Sequence, residues 1–328
     1  MIANRSWRGG RHGVWCGALP ALLLLAACAP AVPGGVPQSG VTESADGPAL
    51  GQALAVGGGR LLSFSGNGIT QNGLAGNGIS QNGLAALGLD EAGVSTASFE
   101  AWFNTDPGLS SMVMRYLYKC AAPAGTSLSW TNPATGADYT WPGVLGLAPG
   151  WIGGAAATVD EQQVITACLG ALTNKFGMSV TIAVEGRNAQ GTALAIEPDE
   201  LTSFSVQEAC FFGNLFSDEG VFVGADHAAP EASTSSIRAC GLRTEAVGLS
   251  SECPPLSNVG YCSENCTLDE GGIFYESCTW GGVTYRPLTT RIRPLSVYAC
   301  GDGVCQLTER CGSGEIPESC LADCGPCP

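Results

Sequence analysis

The sequence predicts an α+β, disulfide-rich globular domain. A disordered tether and a short Asn-Gly repeat precede this domain, and a small, loop-rich cysteine module follows it. Hydrophobic residues make up 45% of the 328 residues and charged residues 13%, a composition that supports a packed core. The chain has 16 cysteines, enough for a framework of disulfides. Helical and strand-like patterns are interspersed in its middle part, which favours the mixed class.

The N-terminus has the pattern of an export signal. Arg5, Arg8 and Arg11 precede an uncharged, apolar run over residues 14–27. As a helix this run spans about 21 Å, which is short of the roughly 30 Å hydrocarbon core of a bilayer. We therefore expect residues 1–27 to be a signal peptide and not a membrane anchor.

The apolar run ends in Leu25-Ala26-Ala27-Cys28, which resembles the lipobox of bacterial lipoproteins. This resemblance implies cleavage before Cys28, lipid attachment to its thiol and insertion of the acyl chains into the lipid bilayer. Because Ala29 and not aspartate follows, the family pattern implies an outer-membrane or cell-surface location. An ordinary secretory signal with a coincidental cysteine is the alternative.

Charge narrows the range of partners. The signal holds three of the 14 basic residues and none of the 29 acids, which leaves a mature net charge near −18. Such a surface repels nucleic acid and anionic lipid headgroups, so we expect neither as a partner. A surface polysaccharide or a protein ligand is compatible with this charge.

Two low-complexity segments follow the lipobox. Residues 28–65 are rich in Pro, Gly, Ala and Ser, which predicts a lipidated flexible tether. In residues 66–89, Asn-Gly pairs recur every five residues, each followed by Ile or Leu. This spacing resembles pentapeptide-repeat β-helices, but it suffices for only one coil. We expect a turn-rich spacer or one docked coil, with a stack between molecules as the alternative.

Residues 90–299 are predicted to form the α+β domain. Asp106-Pro107 predicts one helix start, and the capping box Thr158-x-x-Glu161 predicts another helix that ends at Gly177. A strand is expected over Met178–Val184. Residues 139–159 contain no charged residue, but their prolines and glycines interrupt any helix, so we expect a buried loop or lid.

Two hairpins are predicted in the same domain. The first pairs Leu128–Trp130 with Tyr139–Trp141 around an Asn-Pro turn. The second pairs Phe274–Trp280 with Val283–Arg286 around Gly281-Gly282.

Fourteen cysteines remain after Cys16 and Cys28 are set aside, and in an exported chain we expect them to be oxidised. A zinc site is disfavoured for the same reason. Cys120 and Cys168 lie on or near predicted helix faces and are expected to pair. The cysteines are Cys120, Cys168, Cys210, Cys240, Cys253, Cys262, Cys266, Cys278, Cys300, Cys305, Cys311, Cys320, Cys324 and Cys327.

Residues 300–328 hold six cysteines in a Cys-Gly-Asp-Gly-x-Cys context, and this segment can close on itself. The pattern resembles a short C-terminal module of bacterial surface proteins, with a longer spacing before Cys320. Asp302, Glu309 and Asp323 offer the oxygen ligands that calcium prefers. The alternative is that these acids form turns and hydrate the surface. No other cofactor is expected.

No catalytic motif stands out. Outside the signal the only histidine is His227, and no serine-hydrolase, zinc-protease or nucleotide-binding motif is present. The tryptophans are predicted to pack in the core, with a sugar-stacking platform as the alternative. The sequence thus favours a surface lipoprotein with a binding or structural role. The alternatives are an envelope polysaccharide or peptidoglycan hydrolase using paired carboxylates, and a repeat-mediated assembly component.

Overall fold

The computed structural model describes residues 83–173, 180–226, 255–293 and 319–328, the backbone of 234–235 and 298–299, and residues 300, 301, 303, 305, 309 and 311–313. Several sequence predictions lie outside these residues: Cys28, the tether, the repeat up to residue 82, Gly177, His227, Cys240, Cys253 and Asp302. Within the described residues, no helix is long and apolar enough to cross a membrane. Helices, antiparallel sheets and disulfides together confirm the predicted α+β, disulfide-rich class.

Helices open the described chain. They are α1 (Leu84–Leu87), α2 (Glu91–Val94), α3 (Ala97–Thr105) and α4 (Pro107–Ala121). The side chain of Asp106 accepts a hydrogen bond from the Leu109 amide at the start of α4, and Pro107 occupies the first turn, as the sequence predicts. Leu84 and Leu89 are fully buried, so the end of the segment assigned to the repeat packs into the core.

The first predicted hairpin is confirmed as β1 (Ser127–Thr131) paired antiparallel with β2 (Asp138–Pro142). Its inward face carries Trp130 and Trp141, which contact Phe103 with ring centroids 4.7 and 6.1 Å apart. These rings belong to the first hydrophobic core, to which α1–α4 and the helix that follows the hairpin also contribute buried side chains.

The loop after this hairpin leads into α5 (Val159–Ala171) and is only partly buried, because Leu147, Ala148 and Trp151 are buried whereas Gly153, Ala155 and Ala156 are exposed. Trp151 in the loop is fully buried and donates its indole hydrogen to the Leu84 carbonyl at 2.8 Å. The predicted helix end at Gly177 is wrong, because α5 ends at Ala171. The Thr173 amide bonds the Gly170 carbonyl, an i to i−3 contact that tightens and closes the last turn.

The second half of the described chain is mainly strands. The elements are β3 (Ile182–Gly186), α6 (Glu200–Ser203), β4 (Val206–Asn214), β5 (Gly220–Ala225), β6 (Thr234–Ser235), β7 (Leu256–Tyr261), α7 (Cys262–Asn265), β8 (Cys266–Leu268), β9 (Tyr275–Trp280), β10 (Val283–Tyr285), β11 (Leu288–Ile292), β12 (Tyr298–Ala299) and α8 (Leu321–Cys324). A short 3₁₀ turn, Leu215–Ser217, separates β4 from β5.

A five-stranded sheet in the order β3-β11-β4-β5-β7 forms the centre, antiparallel except for the parallel pair β5 and β7. Strand β3 begins at Ile182 and not at the predicted Met178. Its bounds are set by pairing with β11, from Ile182 opposite Ile292 to Gly186 opposite Leu288. Helix α5 covers one face of this sheet.

A three-stranded sheet, β10-β9-β8, supplies a second core on the other side of β4. Its β9–β10 hairpin confirms the second predicted hairpin. The core consists of Cys210, Phe212, Val259, Cys262, Tyr275, Cys278 and Tyr285.

Six disulfides join cysteines of the described residues: 120–168, 210–262, 266–278, 300–320, 305–324 and 311–327. The expected Cys120–Cys168 bond links α4 to α5. The three bonds of the C-terminal module close it on itself.

The capping box at Glu161 is a specific test of this fold. The buried Glu161 carboxylate accepts hydrogen bonds from the Trp151 and Thr158 amides, each at 2.9 Å. We expect Glu161→Ala to lower the free energy of unfolding by about 2–4 kcal/mol, because two amides lose their acceptor. Urea denaturation with disulfides intact measures this change.

The neighbouring Asp160 provides the control. It forms a partly exposed ion pair with Arg286, so Asp160→Ala should cost at most about 1 kcal/mol. Equal effects of the two substitutions would contradict a structural role specific to Glu161.

Candidate functional site

A groove of about 270 Å³ lies between α2, the start of α3 and strand β1. Carboxylates, hydroxyls and one indole line it: Glu91, Val94, Ser95, Thr96, Glu100, Ser129, Trp130, Thr131 and Pro133. The groove is partly open to solvent, and its volume suits a single sugar ring or one long side chain.

The wall of the groove is rigid because Trp130 is held by an aromatic cluster. Phe99 and Phe103 contact its indole nearly edge-on, with centroids 5.1 and 4.7 Å away. Such pairs add about 0.5–1.5 kcal/mol each beyond their buried area. Trp130 is only 7% exposed, so a ligand meets one margin of the ring and not its full face.

Several hydroxyls of the groove already have partners. Ser129 and Thr140 share a hydrogen bond at 3.1 Å, and the Thr131 hydroxyl donates to Asp138 at 2.6 Å. These bonds orient the hydroxyls and leave them lone pairs with which to accept from a ligand.

The charge of the groove is negative. Glu91 and Glu100 line it, and none of its described lining residues is basic. The ion pairs seen in the described part of the chain lie elsewhere, for example between Arg187 and Glu276. A cationic ligand group would therefore gain both Coulomb attraction and contact with the indole margin.

A second group of acids is buried between the two sheets. Glu185 on β3 is fully buried, and Arg291 on β11 donates its Nε–H to Oε2 at 2.9 Å. Oε1 has no hydrogen-bond partner among the described residues. Burial raises the pKa of Glu185 to about 7; Arg291 opposes the rise, and the charges of Glu200 and Asp226 add to it.

Tyr275 completes this buried group. Its hydroxyl donates to Asp226 Oδ1 at 2.8 Å, and its amide donates to the Thr289 hydroxyl at 3.0 Å. Burial, together with the Asp226 carboxylate, raises the Tyr275 pKa. The phenol therefore stays protonated and acts as a donor that links β9 to the end of β5.

Two of the three predicted calcium ligands, Asp323 and Glu309, lie beside separate disulfides, and Asp302 lies outside the described residues. Asp323 lies next to Cys300–Cys320, and its carboxylate accepts hydrogen bonds from the Gly301 and Gly303 amides. Glu309 is buried next to Cys305–Cys324. The Asp323 contacts are typical of the turn-forming role. Calcium binding at these residues stays a prediction.

The predicted core positions of the tryptophans hold for Trp130, Trp141 and Trp151, whereas Trp280 is 40% exposed at the tip of the β9–β10 hairpin. The sequence did not single out Glu91, Glu100 or Glu185. One feature of the sequence points to Glu185. It directly follows the strand-forming segment Val180–Val184, and acidic residues are rarely buried in such strands unless they are paired.

No protein-family model, curated protein or solved structure matches this chain. The groove and the buried acids are therefore interpreted from their own geometry.

The raised pKa of Glu185 makes the free energy of unfolding depend on pH. The folded protein binds this proton more tightly than the unfolded chain, whose glutamate has an ordinary pKa near 4.5. Protonated Glu185 thus contributes its full stabilisation below about pH 4.5. As pH rises toward 7, this contribution is lost and the free energy of unfolding falls by about 2–3 kcal/mol. Urea denaturation at intervals from pH 4.5 to 7.5 measures it.

Glu185→Gln isolates this contribution, since glutamine is similar in size and does not titrate. The difference in unfolding free energy between parent and variant should change across the window. For Glu276→Gln, which alters an exposed acid, the difference should stay flat. A parallel pH dependence of parent and Glu185→Gln would refute the assignment.

Proposed function

We propose that this protein is a lipid-anchored, extracytoplasmic binding protein that holds an amino-sugar unit of a surface polysaccharide in the groove beside Trp130. The observation that carries the ligand assignment is the groove itself, in which two carboxylates, oriented hydroxyls and an indole margin occur without a basic residue in its described lining. The lipobox pattern at Cys28 supports the anchor, and the disulfides support an oxidising compartment.

Each part of the ligand has a matching group. The ammonium of an amino sugar pairs with Glu91 or Glu100, its ring meets the exposed margin of Trp130, and its hydroxyls bond Ser95 and Thr96 at the rim of the groove. The open shape accommodates a unit within a polymer, because the neighbouring sugars extend into solvent. A basic peptide carries the same positive charge. It lacks the ring hydroxyls that would form hydrogen bonds with the serine and threonine side chains at the rim of the groove.

Binding is favoured over hydrolysis. Glycoside hydrolysis needs one carboxyl group that stays protonated near neutral pH while a second is ionised. The described carboxyl group with a pKa of about 7 is Glu185, which is buried beneath the small sheet and bonded to Arg291. A polysaccharide in the groove has no access to it.

Titration calorimetry of the protein with glucosamine oligomers should show binding, and the N-acetylated oligomers should bind at least several-fold more weakly because they lack the charge. Glu91→Gln and Glu100→Gln should each weaken binding by about fivefold, the value of a partly exposed ion pair near 1 kcal/mol. Higher salt should weaken binding as well.

Glu270→Gln is the matched control, since it removes an exposed charge outside the groove lining. Equal affinity for both oligomers would reject the amino-sugar assignment. Tight binding of oligolysine without binding of glucosamine oligomers would assign the groove to basic peptides. Release of reducing ends during the titration would favour the hydrolase.

The anchor has a separate test. In the full chain expressed in a bacterium, Cys28→Ser should abolish incorporation of labelled palmitate and release the protein from the membrane fraction. Cys16→Ser, which alters a cysteine inside the signal, should leave labelling unchanged. Undiminished labelling of Cys28→Ser would contradict lipid attachment at this residue.

A further inference from the structure

Two disulfides touch each other in the second core. Cys210 on β4 is bonded to Cys262, and Cys266 on β8 is bonded to Cys278 on β9. The Sγ atoms of Cys266 and Cys210 are 3.6 Å apart. The sulfurs of Cys210, Cys266 and Cys278 all lie within 4.8 Å of one another.

The two disulfides differ in exposure. Cys210 and Cys262 are fully buried and Cys278 nearly so, whereas Cys266 is half-buried and is the most exposed of the four cysteines. Behind the buried pair lies Gly224, where a Cβ atom would sit 2.9 Å from Cys210 Sγ and 3.1 Å from Cys262 Sγ. The inner disulfide is therefore closed off by backbone on the Gly224 side, while Cys210 meets the outer disulfide through Cys266.

We propose that the Cys266–Cys278 disulfide is a site of thiol–disulfide exchange, and that Cys266 passes the exchange to the buried Cys210–Cys262 disulfide. The reactant is a thiol compound that reaches the surface, most simply a dithiol. This site is separate from the groove, so the inference does not depend on the ligand proposed above.

The exchange has three steps. A thiolate of the dithiol attacks Cys266 Sγ, which breaks the bond to Cys278 and releases the Cys278 thiolate. The second thiolate of the dithiol then attacks the dithiol sulfur that is bonded to Cys266. This step forms a cyclic disulfide of the dithiol and releases the Cys266 thiolate. The dithiol has now been oxidised by two electrons, and Cys266 and Cys278 have been reduced by two.

In the last step the Cys266 thiolate attacks Cys210 Sγ across the 3.6 Å contact. A Cys210–Cys266 bond forms, the bond to Cys262 breaks, and the Cys262 thiolate takes a proton from water. No electrons are gained or lost in this step. The net products are one oxidised dithiol, the Cys210–Cys266 disulfide, and thiols at Cys262 and Cys278.

The exchanged state keeps the two sheets joined. The original Cys210–Cys262 bond ties β4 to the helical turn α7, which leads directly into β8. A Cys210–Cys266 bond ties the same strand to β8 itself. The second core can therefore accept two electrons without losing the covalent link between its two sides.

The Cys278→Ser variant tests the transfer step, because it leaves Cys266 as a permanent thiol beside Cys210. After oxidised purification and alkylation, peptide mass spectrometry should find a Cys210–Cys266 bond with Cys262 alkylated. Cys168→Ser is the matched control, since it frees Cys120 in the first core; its Cys210–Cys262 bond should remain intact. An unchanged Cys210–Cys262 bond in Cys278→Ser would overturn the transfer.

Partial reduction of the unsubstituted protein gives a second readout, and its order of thiol trapping does not depend on the folding of a variant. Free thiols are first blocked, limiting dithiol is added, and new thiols are trapped with a distinguishable reagent. Cys278 should be trapped early, with Cys262 following as the Cys210–Cys266 peptide accumulates. In a Cys266→Ser/Cys278→Ser variant, opening of Cys210–Cys262 should slow on the order of tenfold, because its sulfurs are buried. Equal opening rates, or absence of the Cys210–Cys266 peptide, would reject the proposal.

Discussion

Strand β4 is the constraint on which the rest of this structure depends, because both of its faces are buried. Ala209 and Phe211 face α5 and the first core, while Cys210 and Phe212 face the small sheet and the second core. A strand buried on both sides needs a layer on each, and these layers are α5 and the β8–β10 sheet. Burial of both faces also explains why the middle of the strand, residues 209–212, is apolar without alternation.

Each of the two cores contains a buried disulfide that links two of its elements. Cys120–Cys168 ties together the two longest described helices of the first core, and Cys210–Cys262 ties β4 to the second. Both cores adjoin buried polar groups. Glu161 lies beside Trp151 of the first core, and Glu185, Arg291 and Asp226 lie beside the second. A buried carboxylate is tolerated there because Arg291 neutralises it, although desolvation still favours its protonated form.

The proposed binding and exchange sites are therefore separated by the fold. The groove depends on short capped helices packed against one hairpin, with Trp130 locked by Phe99 and Phe103. The exchange site depends on the contact between two disulfides on the other side of β4. An oxidising compartment, as the proposed export implies, would supply the disulfides that each core contains.

The sequence by itself determined the local features whose signals lie within a few residues. These were the helix start at Asp106-Pro107, the capping box at Thr158 and Glu161, both hairpins, and the mixed, disulfide-rich class. Only the tertiary structure decided where β3 begins, because its bounds come from pairing with β11, about 100 residues later. The same holds for the groove, where Glu91, Glu100 and Trp130 meet across separate elements, and for the 3.6 Å contact between Cys210 and Cys266. Such contacts arise when elements distant in sequence pack together, the helices against the first hairpin and the small sheet against β4, and residue spacing along the chain does not predict them.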